Sequence, residues 1–181
     1  MNSDRHPLHR ALVDEEDEFR VVIRGASAVD ELLKRTIDAA FPNGMPRELG
    51  GRTMGRRVEL ARGLDLISGD LASAISQLSE ARSFLAHRVE DELPESTVER
   101  LVEATDGFIL GSGGRPESRI GRVGLAIAAI YATLQRESEE AAHQRSEAAA
   151  ALVAWRAQRV LTEDEIRELL RDLGLSVEHD D

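Results

Sequence analysis

The chain of 181 residues contains no cysteine. That excludes disulfides, thiol nucleophiles and cysteine-ligated zinc, and it fits a reducing compartment. Aromatic residues are scarce, 3% of the chain against 41% hydrophobic, so any core must be built from Leu, Ile, Val and Ala. Long hydrophobic runs are missing as well. The longest, VGLAIAAIYATL at 123–134, is too short to span a bilayer. The opening MNSDRHPLHRALVDEED has no apolar run of the kind a secretory signal needs. We therefore expect a soluble, cytoplasmic protein with no membrane association. Positive charge is in short supply: 23 basic residues, Lys34 the sole lysine among them, face 34 acidic ones, for a net charge of −11. A field of that sign opposes nonspecific nucleic-acid binding, which rests on cations neutralising phosphate. Arg47, Arg52, Arg56 and Arg57 form one local basic cluster. No DNA-reading module is present, and direct DNA binding is not expected.

What the sequence does have is helical periodicity; no stretch alternates with period two. Phe19, Val22, Ile23, Ala26, Val29, Leu33, Ile37 and Phe41 form a stripe along a helix over roughly 12–41, ended by FPNGMP. The acidic run DEEDE at 14–18 suits its first turn, where the helix dipole favours negative charge. A second helix is predicted over about 52–66, burying Val58, Ala61 and Leu64 or Leu66. Ser68 is the candidate cap of a third, running to about 89. Pro94 opens a fourth, with Val98, Leu101 and Val102 inward. A fifth begins near Glu117, where Ile120, Val123, Ile127, Ile130 and Leu134 step by three and four.

After Arg136 the chain becomes charged and Ala-rich, with good helix formers but no stripe until Leu152 and Trp155. A last short helix is predicted in TEDEIRELLRDLG, with Thr162 and Glu165 as a capping box, Gly174 as the stop, and Ile166, Leu169, Leu170 and Leu173 on one face. The expected architecture is all-α: a helical bundle of about five helices over 1–137 and a helical C-terminal extension over 138–181.

Three features could carry chemistry but are better read otherwise. The glycines of DGFILGSGGRPES at 106–118 follow no strand and lack the lysine of a phosphate loop, so the segment reads as a linker. Glu140 and His143 have half the spacing of a carboxylate-bridged di-iron site, without a second copy, and read as a solvated helix face. His6 and His9 lie three apart near the start and support no more than adventitious metal binding. No cofactor or metal is implied.

EARSFLAHRVED at 80–91 is different. The stripe Leu71, Ile75, Leu78, Leu85, Val89 takes in Arg82, a charge that needs a buried partner. Asp30, Glu31 and Asp38 flank the first helix's stripe and are the candidate carboxylates. Ser83 and His87, four apart, share a face, whereas Arg82 and His87 are roughly 140° apart on an ideal helix.

The stretch GLDLISGDLASAISQLSEARSFLAHRVED, 63–91, resembles the mannitol operon repressor (MtlR)-like proteins, an all-helical family. It does so through Leu66, Ile67, Ser68, Asp70, Leu71, Arg82, Ala86 and His87. VDELLKRTID at 29–38 resembles that family's first core helix, and the likeness covers roughly 18–137. The Arg-x4-His pair is also similar to the motif of the wider HEPN (higher eukaryote and prokaryote nucleotide-binding) superfamily, some of whose members are metal-free RNases working as dimers.

Two positions depart from the family pattern: Ser83 stands where Asn is usual, and Asp65 where Gly is usual. The resemblance implies a non-enzymatic regulatory protein, working as a homodimer through protein contacts, as in transcription regulation. The alternative it implies is a metal-independent RNase, with RNA as partner, using Arg82, His87 and Ser83. In that case His87 would act as general acid or base and Arg82 would stabilise the phosphorane.

Overall fold

The computed structural model describes residues 17–41, 53–87, 92–109 and 116–160. Five α-helices are present among them: α1 Glu18–Ala39, α2 Met54–Gly63, α3 Gly69–His87, α4 Glu95–Glu103 and α5 Arg119–Val160. A 3-10 turn at Asp106–Phe108 follows α4, and the described residues contain no strand. The chain divides into two compact units, Met1–Ala141 and Ala142–Asp181. The predicted segments at His6, His9 and 162–173 lie outside the described residues, as does the glycine-rich part of the loop at 110–115.

Each helix starts where its local chemistry favours a start. Asp17 caps α1, its side chain accepting the Arg20 N–H at 3.3 Å, and Glu18 occupies the first turn. Thr53 caps α2 through the Arg56 N–H. Ser68 caps α3, its Oγ accepting the Leu71 N–H at 3.2 Å. Pro94 immediately precedes α4. The starts predicted at 52, Ser68, Pro94 and Glu117 hold within two residues; the first helix is predicted from about 12, and residues 12–16 lie outside the described residues.

α2 ends earlier than the predicted 66, and the reason is visible in the backbone. The Leu66 N–H returns to the Ala61 carbonyl at 2.9 Å and the Asp65 N–H to the Arg62 carbonyl at 3.1 Å. This is the Schellman closure. It requires a left-handed residue, and Asp65 has φ +52°. Leu66 is thereby turned into the core while Leu64 is left 38% exposed.

In the first unit the core is aliphatic, as the composition dictates. α1 packs on α2 and α3, and α3 packs on α2 and α4. The α1 stripe buries Val22, Ala26, Val29, Leu33 and Ile37, with Val21, Gly25 and Thr36 beside it. Phe19, Ile23 and Phe41 sit half-buried at its margin. α5 contributes Val123, Ile127, Ile130 and Leu134. At Gly25 the two helices come so close that a Cβ would lie 2.5 Å from Ile127 Cγ2.

Two polar ties join distant parts of this unit. The Glu137 carboxylate on α5 accepts both the backbone N–H of Ser68 at 2.7 Å and its hydroxyl at 2.9 Å. At the next residue of α5, Thr36 Oγ1 lies 3.0 Å from Ser138 Oγ. At the start of α5, Arg119 donates to Glu18 at 2.7 Å, to Glu95 at 2.8 Å and to the Leu93 carbonyl. Glu18 also accepts the Leu93 N–H at 2.6 Å. The hydrogen bond that Arg119 donates to Glu18 holds the Arg119 pKa above its ordinary value, against the opposing effect of burial, with the Glu18, Glu95 and Glu92 charges adding to the rise.

Candidate functional site

The candidate residues Arg82, Ser83 and His87 all belong to the last turns of α3. This helix exists because Ser68 caps it and because Leu71, Ala74, Ile75, Leu78, Ala81 and Leu85 bury one face. That face differs from the predicted stripe at one position. Ala81, not Arg82, takes the buried place between Leu78 and Leu85. Arg82 stands at the edge of the face and is half-buried; Ser83, Ala86 and His87 are exposed. A long guanidinium side chain is free at such an edge to lay its stem on apolar surface and keep its head in water.

The expectation that Arg82 is mostly buried against a first-helix carboxylate is overturned. Among the described residues Arg82 forms no hydrogen bond or ion pair. Its candidate partners are committed elsewhere or exposed. Asp30 receives a two-pronged contact from Arg57, Nε to Oδ1 at 2.9 Å and Nη2 to Oδ2 at 2.6 Å, with both side chains about four-fifths buried. Glu31 pairs with Arg35 one turn along α1 at 3.2 Å. Asp38 is exposed. The charged tie to α1 exists, but α2 supplies it.

α3 is continuous α-helix through His87, so Arg82 and His87 leave it roughly 140° apart. Within one chain they do not share a face; Ser83 and His87 do. Glu80, on the same outward side, lies 3.8 Å from Arg100 of α4, with both side chains more than half exposed. That pair contributes little.

Other predicted features are occupied by ordinary surface chemistry. Glu140 pairs with Arg136 at 3.1 Å and His143 with Glu147 at 3.3 Å, each one turn apart along α5. Among the described residues no group of acidic and histidine side chains could hold a metal ion, and no helix is long and apolar enough to cross a membrane.

Sequence reasoning missed the two best-formed polar arrangements, the Arg119–Glu18–Glu95 cluster and the Arg57–Asp30 pair. Glu18 read as part of a solvated acidic turn, yet only 5% of it is exposed. Its partners come from about 75 and 101 residues along the chain, and no local pattern encodes them.

Comparison of the chain with protein-family models, curated proteins and solved structures finds no match to any of them.

Proposed function

We propose that this is a non-enzymatic regulatory protein of the mannitol operon repressor-like kind, acting in the cytosol as a homodimer through protein contacts. The observation that carries this reading is the state of Arg82. It is a half-buried guanidinium with no ion pair among the described residues, beside exposed Ser83, Ala86 and His87 on a rigid core helix. An arginine left uncommitted at the edge of an apolar face is the type of residue that anchors a desolvated contact. The divergence of Arg82 and His87 supports the same reading, because one copy does not bring guanidinium and imidazole to a single phosphate.

The exposure of His87 and the lack of a partner for Arg82 among the described residues favour one second reading, the metal-independent RNase. Two copies would have to face each other so that Arg82 of one meets His87 of the other. His87 would then move a proton at the ribose 2′-hydroxyl or the leaving oxygen while Arg82 offsets phosphorane charge. Ser83 would stand in the polar position between them.

Light scattering on the native protein, followed by incubation with single-stranded RNA in EDTA, separates the two. The regulatory reading expects a dimer that leaves RNA intact and that Arg82→Glu weakens. RNA cleavage lost in both Arg82→Ala and His87→Ala, with the dimer unchanged, would replace it with the RNase.

A further inference from the structure

Between Ala148 and Ala154 the sequence reads AAAALVA, seven apolar residues in succession within α5. A helix that is apolar on every side is normally buried. Here every described side chain of the run is exposed, and Val153, at 59%, is one of two large hydrophobic side chains so placed among the described residues.

One side of the run continues back to the start of the second compact unit at Ala142. Ala142, Ser146, Ala149, Ala150 and Val153 recur at i, i+4, i+7, i+8 and i+11, and all five are exposed. They lie within about 50° of one direction round the helix. The stripe carries no charge, but its flanks do. Arg145 stands about 90° to one side of it, and His143 and Glu147 stand about 70° and 110° to the other. Arg145 is half-buried, and its Nη1 has no hydrogen-bond partner among the described residues. Glu147 meets His143 at 3.3 Å, with both side chains more than two-thirds exposed, so that pair contributes little.

We infer that the homodimer proposed above, on which this step rests, is seated on this stripe, with α5 of one copy parallel to α5 of the other and in register with it. The flanks select both the occupant and its direction. Glu147 is the only carboxylate between 142 and 160. Antiparallel copies would set each flank against its own equivalent, so Arg145 would face a flank without a carboxylate. Parallel copies set opposite flanks together, as in a parallel coiled coil. Glu147 of each copy then lies beside Arg145 of the other, and the two-fold axis repeats the pair on both sides of the seam. Along the seam equivalent residues meet. Ala149 and Ala150 let the backbones approach closely, Val153 packs on Val153, and the Ser146 hydroxyl finds a second hydroxyl.

The protein has no cysteine, so single thiols report on the seam one position at a time. Full-length Ser146→Cys and Val153→Cys each place a thiol opposite its own equivalent in parallel copies. Gln144→Cys places it on the far side of the helix, about 170° away. Light scattering on the native protein comes first; each variant is then oxidised mildly and run on a non-reducing gel. Ser146→Cys and Val153→Cys should each give a disulfide-linked dimer, and Gln144→Cys should stay a monomer. Glu147→Arg added to Val153→Cys should lower the linked fraction severalfold, and Arg145→Glu added to both should restore it. Linkage only in a mixture of the Ser146→Cys and Val153→Cys proteins would mean antiparallel copies and overturn the proposal. Equal linkage of all three variants, or linkage indifferent to Glu147→Arg, would overturn it too. A dimer by light scattering with no linkage at any position would put the contact elsewhere and leave the homodimer standing; a monomer would overturn both.

Discussion

Gly25 and Asp65 are the positions where a single side chain decides local geometry. A methyl group at Gly25 would have to displace Ile127, whose Cγ2 and Cδ1 would lie 2.5 and 2.9 Å from it, and both residues are buried. Gly25→Ala is expected to cost about 1–3 kcal/mol through overpacking, seen as a lower urea midpoint at unchanged slope. An unchanged midpoint would mean that α1 and α5 separate there without penalty. Asp65 presents the opposite case. Its φ of +52° is a conformation that glycine adopts freely and L residues adopt at a cost. Asp65→Gly should raise stability by about 0.5 kcal/mol after the extra flexibility of the unfolded chain is offset.

Arg119 connects residue to element, because one side chain holds the starts of α1, α4 and α5 together with Leu93. Removing it leaves the Glu18 carboxylate buried without its cation. Arg119→Ala is expected to cost about 3 kcal/mol, less than a fully buried pair because 28% of the arginine side chain is exposed. Arg119→Ala combined with Glu18→Gln should recover part of that loss in a thermal melt; a double variant as unstable as the single would show that the charge is not the cause. The sign for pH follows from the raised Arg119 pKa. A raised folded-state value gives stability that is complete below the group's ordinary pKa and is lost only as pH climbs beyond it. Arg119 therefore contributes no pH dependence between acid and neutral conditions.

At the other polar tie, Glu137 satisfies the Ser68 N–H and hydroxyl while Ser68 caps α3. Ser68→Ala should cost about 1 kcal/mol. Neither tie is local: their members stand 69, 75 and 101 residues apart.

For the whole molecule, the division of the chain bears on what can be removed. Glu137 and Ser138 bond to α3 and α1, and Ala141 is buried. A chain ending at Ala141 should unfold in one cooperative transition, whereas one ending at Arg136 should melt at a lower temperature because the α3 cap loses its carboxylate. Equal melting temperatures would show that Glu137 adds nothing. The α1 and α5 seams were legible beforehand, since Val22, Ala26, Val29, Leu33 and Ile127, Ile130, Leu134 recur at helical spacing. The candidate site was legible only as a set of residues. The spacing of Arg82 from Leu78 and Leu85 put it on the apolar stripe; packing put Ala81 there instead.

By itself the sequence determined that the described segments are helices, that Ser68 and Pro94 start α3 and α4, and which aliphatic faces α1 and α5 bury. These follow from backbone hydrogen bonding and a repeat of 3.6 residues, both local. Only the tertiary structure decided that Asp30 pairs with Arg57 and not Arg82, that Glu18 is buried beneath Arg119, and that Gly25 is where α1 and α5 meet. The pairing of a charge depends on which helix reaches it first in space, and no spacing along the chain contains that distance.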